Sequence, residues 1–196
     1  MAGSAAISHA SQSLRALLAS AFTDAGPFVG TGIDLRSPRE IGTPAGGANL
    51  ISLWLYRVQR FGELENTPPK LASDGRLIPA PLALTLHYLV TPLTSDELTA
   101  HRLLGHAMQA LNAHAKLGPE FTHEALMGGD EATLGIHLER QSFEDSLRVW
   151  QAMNEPYRLS APYFVQYVAI DSSRSFEAAQ PVLDRQVDYQ QIVGVE

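Results

Sequence analysis

The sequence predicts an α/β domain on three observations. In residues 82–91, Leu82, Leu84, Leu86, Tyr88 and Val90 alternate with Ala83, Thr85, His87, Leu89 and Thr91. That is strand period, and both sets are largely apolar, so this strand is expected to be covered on both faces. Directly after it, Leu98, His101, Leu104, Met108, Leu111 and Ala115 recur at steps of three and four, the stripe of an amphipathic helix lying back on the sheet. Further strand-period and helix-period segments stand on either side of this unit along the chain.

At the centre of the unit, Pro92 removes a backbone donor and is expected to end the ladder. Thr94 stands three residues before Glu97, a capping-box spacing, and Asp96 adds negative charge at the helix's positive end. Upstream, residues 7–22 read as a first helix with Leu14, Leu17, Leu18 and Phe22 on one face and Ser4 or Ser8 as its cap. Asp24, Gly26 and Pro27 stop it. Residues 28–48 are rich in Gly, Pro and Ser and read as a loop or adaptable arm, with a short strand around 33–35. Residues 50–58 form the second clear strand, with Leu50, Ser52, Trp54, Tyr56 and Val58 on one face and Ile51, Leu53, Leu55 and Arg57 on the other. Arg57 and Arg60 mark where it leaves the core. The connection 61–81 is punctuated by Pro68, Pro69, Pro79 and Pro81, and Asp74-Gly75 is placed to turn a small hairpin. A connection of this length in a compact domain points to function or to disorder.

Downstream, residues 121–127 predict a short helical turn and 133–139 a third strand. Ser142 caps a helix carrying Phe143, Leu147 and Trp150 on one side, which stops at Asn154 and Pro156. Residues 161–170 predict the fourth strand, with Tyr163, Val165 and Tyr167 facing one way and Phe164, Val168 and Ile170 the other. The chain then turns polar. Val187, Tyr189, Ile192 and Val193 give the tail a late apolar cluster with an extended pattern, a frayed end or a strand for a neighbouring subunit.

Composition limits the function classes. Hydrophobic residues make up 45% of the 196, enough for a core in one domain. A formal charge of −7 and a pI of about 5.4 give no electrostatic footprint for nucleic acid or an anionic membrane. Lysine occurs only at Lys70 and Lys116; arginine forks suit protein interfaces, and genome composition explains the same bias. Cysteine is absent, which excludes disulfides and thiolate chemistry and leaves the compartment open. No apolar run approaches the roughly 20 residues of a membrane span. The first 25 residues lack a basic segment followed by a continuous apolar one, which argues against Sec export. The acids Glu120, Glu124, Asp130, Glu131, Glu139, Glu144, Asp145 and Glu155 read as a solvated face or as a docking patch for a basic partner.

No catalytic signature is present: no G-x-S-x-G, H-E-x-x-H or G-x-x-x-x-G-K-[ST]. Gly30-Thr31-Gly32 leads into strand-like Ile33-Asp34-Leu35 rather than a helix. His101 and His106 are five apart on different helix faces, so they do not chelate as an i, i+4 pair would. His101 reads as a hydrogen-bonded residue at a core edge. Glu144 and Asp145 are adjacent and point apart. No metal or cofactor is expected.

The segments LTLHYLVTP, DELTAHRLLGHAMQAL and SLRVWQAMNEPYRLSAPYFVQYVAID, in that order, resemble the N-terminal-domain type of cap or tail-terminator proteins in phage-tail-like extracellular contractile injection systems. LRALL in the first helix, NLISLWLYRV, and RLIPAPLALTLHYL before the central strand are similar too, so the resemblance covers residues 7 to about 171. Its most specific parts are His87-Tyr88-Leu89, His101 to Gly105, and Pro156-Tyr157-Arg158 with Ser160 and Tyr163. The resemblance implies a single α/β domain, 1–171, with a mixed sheet flanked by helices; residues 172–196 lie beyond it and read, from their own pattern, as a C-terminal arm. It implies a homohexameric ring that closes the baseplate-distal end of the inner tube, contacts the last sheath ring and has no enzymatic activity. Assembly is expected in the cytoplasm, in a particle that is released or stays intracellular. Partners are other copies, the inner tube protein and the sheath protein, with no nucleic acid and no membrane insertion. Interface candidates are Arg57, Arg60, Asn66, Arg76, His101, Arg102 and Arg158, with Val187, Tyr189, Ile192 and Val193 in the arm. Two alternatives stand beside the cap: a small-molecule-binding or enzymatic domain with a pocket around His87, His101 and Arg102, and an adaptor that tethers the system to another surface.

Overall fold

The computed structural model describes residues 3–24, 26–64, 67–127, 134–174 and 176–177. In chain order the elements are α1 (Ala6–Ala21), β1 (Gly32–Asp34), α2 (Pro38–Ile41), β2 (Leu50–Arg60), β3 (Lys70–Leu71), β4 (Arg76–Ile78), β5 (Leu82–Leu93), α3 (Glu97–Ala113), β6 (Gly135–Leu138), α4 (Phe143–Ala152), β7 (Ala161–Ile170) and β8 (Phe176–Glu177). The main sheet has the order β1-β2-β5-β7-β6; β1 runs parallel to β2 and every other pair is antiparallel. This is the expected α/β domain with a mixed sheet.

β5 is the middle strand, and every residue from Ala83 to Leu93 is buried. Leu84, Leu86, Tyr88 and Val90 face α1 and α3, packing with Leu14, Leu17, Leu18, Leu103, Leu104 and Leu111. On the opposite face, Leu89 packs under Trp150 and Met153, at and just beyond the end of α4. Helices therefore flank both faces, as two apolar residue sets on one strand require. The Tyr88 hydroxyl finds Ser11 Oγ at 2.8 Å, which pairs the polar tip of a fully buried ring. Burial pushes its phenol up to about 12, against the lowering effect of that bond.

Pro92 does not end the ladder. β2 still pairs with β5 at Ile51–Pro92 and Leu50–Leu93, whereas β7 has its last partner at Val90. Beyond Val90 the strand has one neighbour, so a residue without an N–H sacrifices no interior bond. The caps also differ from expectation. Asp96, not Thr94, caps α3, accepting from Thr99 N at 2.7 Å. Neither Ser4 nor Ser8 caps α1: its N-cap is Ala5 with no side-chain bond, and Ser8 Oγ donates back to Ala5 O. The helix stripe is rotated as well. Leu103, Leu104, Ala107 and Leu111 are buried, while Leu98, His101 and Ala115 are exposed. Within the glycine-rich stretch 28–48 lies the short helix α2. Ser37 accepts from Glu40 N, and the Glu40 carboxylate accepts from Ser37 N, a complete capping box.

Two bulges re-aim side chains. Register passes from Leu55–Tyr88 to Arg57–His87, so β2 carries one extra residue and Arg57 moves to the α4 face beside His87, instead of continuing the Leu55 face. On β7 the register passes from Leu86–Val165 to Leu84–Val168. Tyr167 adopts φ 67°, with its ring edge-on to Phe61 at 5.0 Å. Val168 thereby joins Val165 in the core rather than pointing the other way.

The hairpin expected at Asp74-Gly75 is present. Gly75 has φ 79°, and β3 pairs β4 through Lys70–Ile78 and Leu71–Leu77. β8 adds Leu77–Phe176 and Arg76–Glu177 to the other side of β4. A row of Leu71, Leu77 and Phe176 thus crosses one face of this small second sheet, with Leu71 and Phe176 exposed.

Candidate interaction surfaces

The α4 side of the main sheet is apolar at one end and polar at the other. At the apolar end Trp150 is 1% exposed, and its Nε1 donates to Ser160 Oγ at 3.4 Å. Trp54, Tyr56 and Val149 close around it. Over this plug, Tyr157 stacks edge-on to both Phe143 and Trp150, leaving Phe143 64% exposed. The expected helix face therefore divides, with Trp150 inward and Phe143 at the surface.

At the polar end the β2 bulge gathers a network around Glu139, just past β6. Its carboxylate accepts from Arg57 Nη2 at 2.9 Å, from Tyr56 OH at 3.1 Å and from His87 Nδ1 at 3.0 Å. His87, 5% exposed, has Gln59 Oε1 at 3.0 Å from Nε2. Arg57 Nη2 also lies 3.1 and 3.4 Å from the two ring nitrogens. Burial, and then the negative charge of Glu139, push the Tyr56 phenol up to about 12. Glu139 therefore belongs to an internal network and not to the solvated acidic face, while Glu120, Glu124, Glu144 and Asp145 are exposed. Sequence reasoning missed this cluster. Its members come from β2, from β5 and from the end of β6, and only a bulge brings Arg57 to the correct side.

A groove of about 450 Å³ lies between α3 and the edge strand β6. Gly105, Met108, Leu111, Ile136, Leu138 and Tyr163 form its apolar lining. Gln109 and Asn112 of α3 add polar side chains to the lining, and among the described residues no charged group faces it. The pocket expected around His87, His101 and Arg102 does not form. His87 is on the α4 side of the sheet, whereas α3 packs on the other and turns His101 and Arg102 to its exposed side. His101 is thus a surface residue rather than a core-edge one. Among the described residues no group of three His, Asp or Glu side chains is placed to hold a metal ion. His9 and His123 instead stack at 3.8 Å, joining α1 to the turn after residue 122. No described helix is long and apolar enough to cross a membrane.

The other candidates lie on separate elements. Arg60 ends β2 and Arg76 begins β4, both exposed; Arg158 is half-buried in the loop that runs along α4. Asn66, Val187, Tyr189, Ile192 and Val193 lie outside the described residues.

Two solved structures share this fold. The sheath/tube terminator, in the extended state, of the extracellular contractile injection system PVC superposes with a TM-score of 0.68, at 18% identity over 97% of this chain and 65% of that one. The tube-terminating cap of the anti-feeding prophage superposes with a TM-score of 0.54, at 19% identity over 80% of this chain and 53% of that one. The chain therefore spans less than two thirds of the length of either. No curated protein matches it. The model of the Pvc16 N-terminal domain matches residues 9–184, nearly the whole sequence, and the chain belongs to that family.

Proposed function

We propose that this chain is the body of a structural cap for a contractile injection system. It ends inner-tube polymerisation at the baseplate-distal end and anchors the last sheath ring. The supporting observation is the family match over residues 9–184, together with a fold like that of a sheath/tube terminator and a tube-terminating cap. The architecture suits the role. A sheet clamped by helices on both faces is stiff, and the hairpin β3–β4 and the aromatic patch over α4 offer surfaces at separate places. Residues 1–171 form the body and 172–196 an arm. Copies assemble into a hexameric ring, in which each weak contact is repeated by rotation and summed by avidity. Arg57, Arg60, Asn66, Arg76, His101, Arg102 and Arg158 contribute to contacts with tube, sheath or neighbour, and the arm contributes Val187, Tyr189, Ile192 and Val193. The work is binding, without catalysis. The ring assembles in the cytoplasm before the particle is released or retained.

Electron microscopy of particles made without this chain tests the reading. Tubes of uncontrolled length or unstable sheaths are expected. Particles of normal length with intact sheaths would refute capping, and normal particles that no longer attach to another surface would indicate a tether.

A further inference from the structure

The helix α3 carries Gly105 in its interior, where glycine is destabilising relative to alanine. A Cβ at this position would meet nothing within 4 Å, so no neighbour among the described residues requires its absence. Gly105 lines the groove between α3 and β6, and across it the Leu138 side chain is 51% exposed. Among the described residues, the backbone beside the groove has a stretch with no partner on its outer side. Ile136 N donates outward to Ala115 O at 2.8 Å, and the segment at 115–117 covers that part of the edge. Leu138, two residues on, points its N–H and C=O to the same outer side, past the covering segment. Among the described residues, an open strand edge stands next to a largely apolar trough whose lining includes a residue without a side chain.

The sequence contains a segment that fits this trough. In residues 185–195, RQVDYQQIVGV, Val187, Tyr189, Val193 and Val195 share one parity, so an extended chain presents all four to one side. Nineteen residues come after Glu177, a reach of roughly 63 Å when extended. Their root is β8, which comes after the Ile170 end of β7. The groove is at Tyr163, seven residues back along that strand, roughly 23 Å away. Donor and acceptor at opposite ends of one body make a head-to-tail contact, the kind that closes rings.

We propose that the groove between α3 and β6 receives residues 185–195 of a second copy as a strand added at the Leu138 edge. Val187, Tyr189 and Val193 point toward Gly105 and Met108, and each subunit is tied to the next. This rests on the ring reading above and specifies one of its contacts.

Because the chain has no cysteine, engineered pairs are unambiguous. The full chain would carry Leu138→Cys together with Val187→Cys, Tyr189→Cys or Val193→Cys, and be oxidised mildly and run without reductant. A covalent ladder above the dimer is expected for at least one of these pairs, at least tenfold stronger than with Gln186→Cys or Asp188→Cys. A single cysteine per chain stops at dimers. Adding Gly105→Leu, which fills the trough from a good helix former, is expected to abolish the ladder. A mass measurement that finds the ring while no pair gives a ladder would overturn the groove assignment and leave the ring standing. Equal ladders at both parities, or only a cross-linked monomer fed by its own tail, would also overturn it. A monomer by mass would remove the ring and this contact together.

Discussion

Trp150→Ala tests how the second face of the sheet is held. The buried set there is small: Leu89, Trp150 and Met153, with Trp54, Tyr56 and Val149 around them. Trp150 is 1% exposed and is the one residue of α4 that is fully buried. An indole of this kind buries about 200 Å², worth about 5 kcal/mol at 25 cal/mol per Å². Large-to-small core substitutions involving tryptophan cost about 3–5 kcal/mol, because the site collapses only in part. For a chain of this size each kcal/mol moves the melting temperature by about 2–4 °C, so a fall of about 6–20 °C is expected. The loss is expected to be regional as well. Amide exchange along Phe143–Ala152 would accelerate far more than along Ala6–Ala21, whose packing lies on the other side of the sheet. Urea denaturation and hydrogen exchange on the full chain measure both effects. A cost under about 1 kcal/mol, or uniform acceleration in both helices, would refute the view that one side chain anchors α4.

Named contacts give three further outcomes. Glu139→Gln removes the charge that helps hold the Tyr56 phenol near 12, so its titration, followed at 295 nm, moves down but stays above 10 because burial is the larger cause. Tyr56 and Tyr88 both have raised phenols, so the folded chain keeps protons that the unfolded chain loses. Their stabilising effect is complete below about pH 10 and is lost as pH rises from 10 towards 12; Tyr88→Phe flattens that decline in a denaturation series while costing about 1 kcal/mol at neutral pH through its bond to Ser11. Asp96→Ala lowers the urea midpoint clearly more than Thr94→Ala, since of the two only Asp96 accepts from the first turn of α3; equal effects in urea melts would contradict the cap assignment.

The strands were legible where pattern alone decides them. Residues 161–170 form β7 as expected, and the double apolar alternation of 82–91 matches a strand buried on both faces. Pattern fails at the bulges. Strict alternation puts Arg57 with Leu55 and Tyr167 with Val165, and one inserted residue on each strand turns every later side chain to the opposite face. Neither insertion leaves a sequence mark, because neither uses a glycine. The Glu139 network was hidden for the same reason, and because its hydrogen-bonded partners lie 28 to 83 positions apart along the chain. In α3, adjacent Leu103 and Leu104 allow two stripes about 100° apart, and packing against α1 selects the one that leaves His101 outside.

The attachment of β8 has a mechanical consequence. Among the described residues two pairs join it to β4, whereas β7 is zipped on both sides by β5 and β6. A pull applied at Glu177 is met first by that short clasp, which opens pair by pair, and only afterwards by the long strand behind it. The small sheet therefore yields before load on Glu177 reaches the five-stranded core, which keeps its shape.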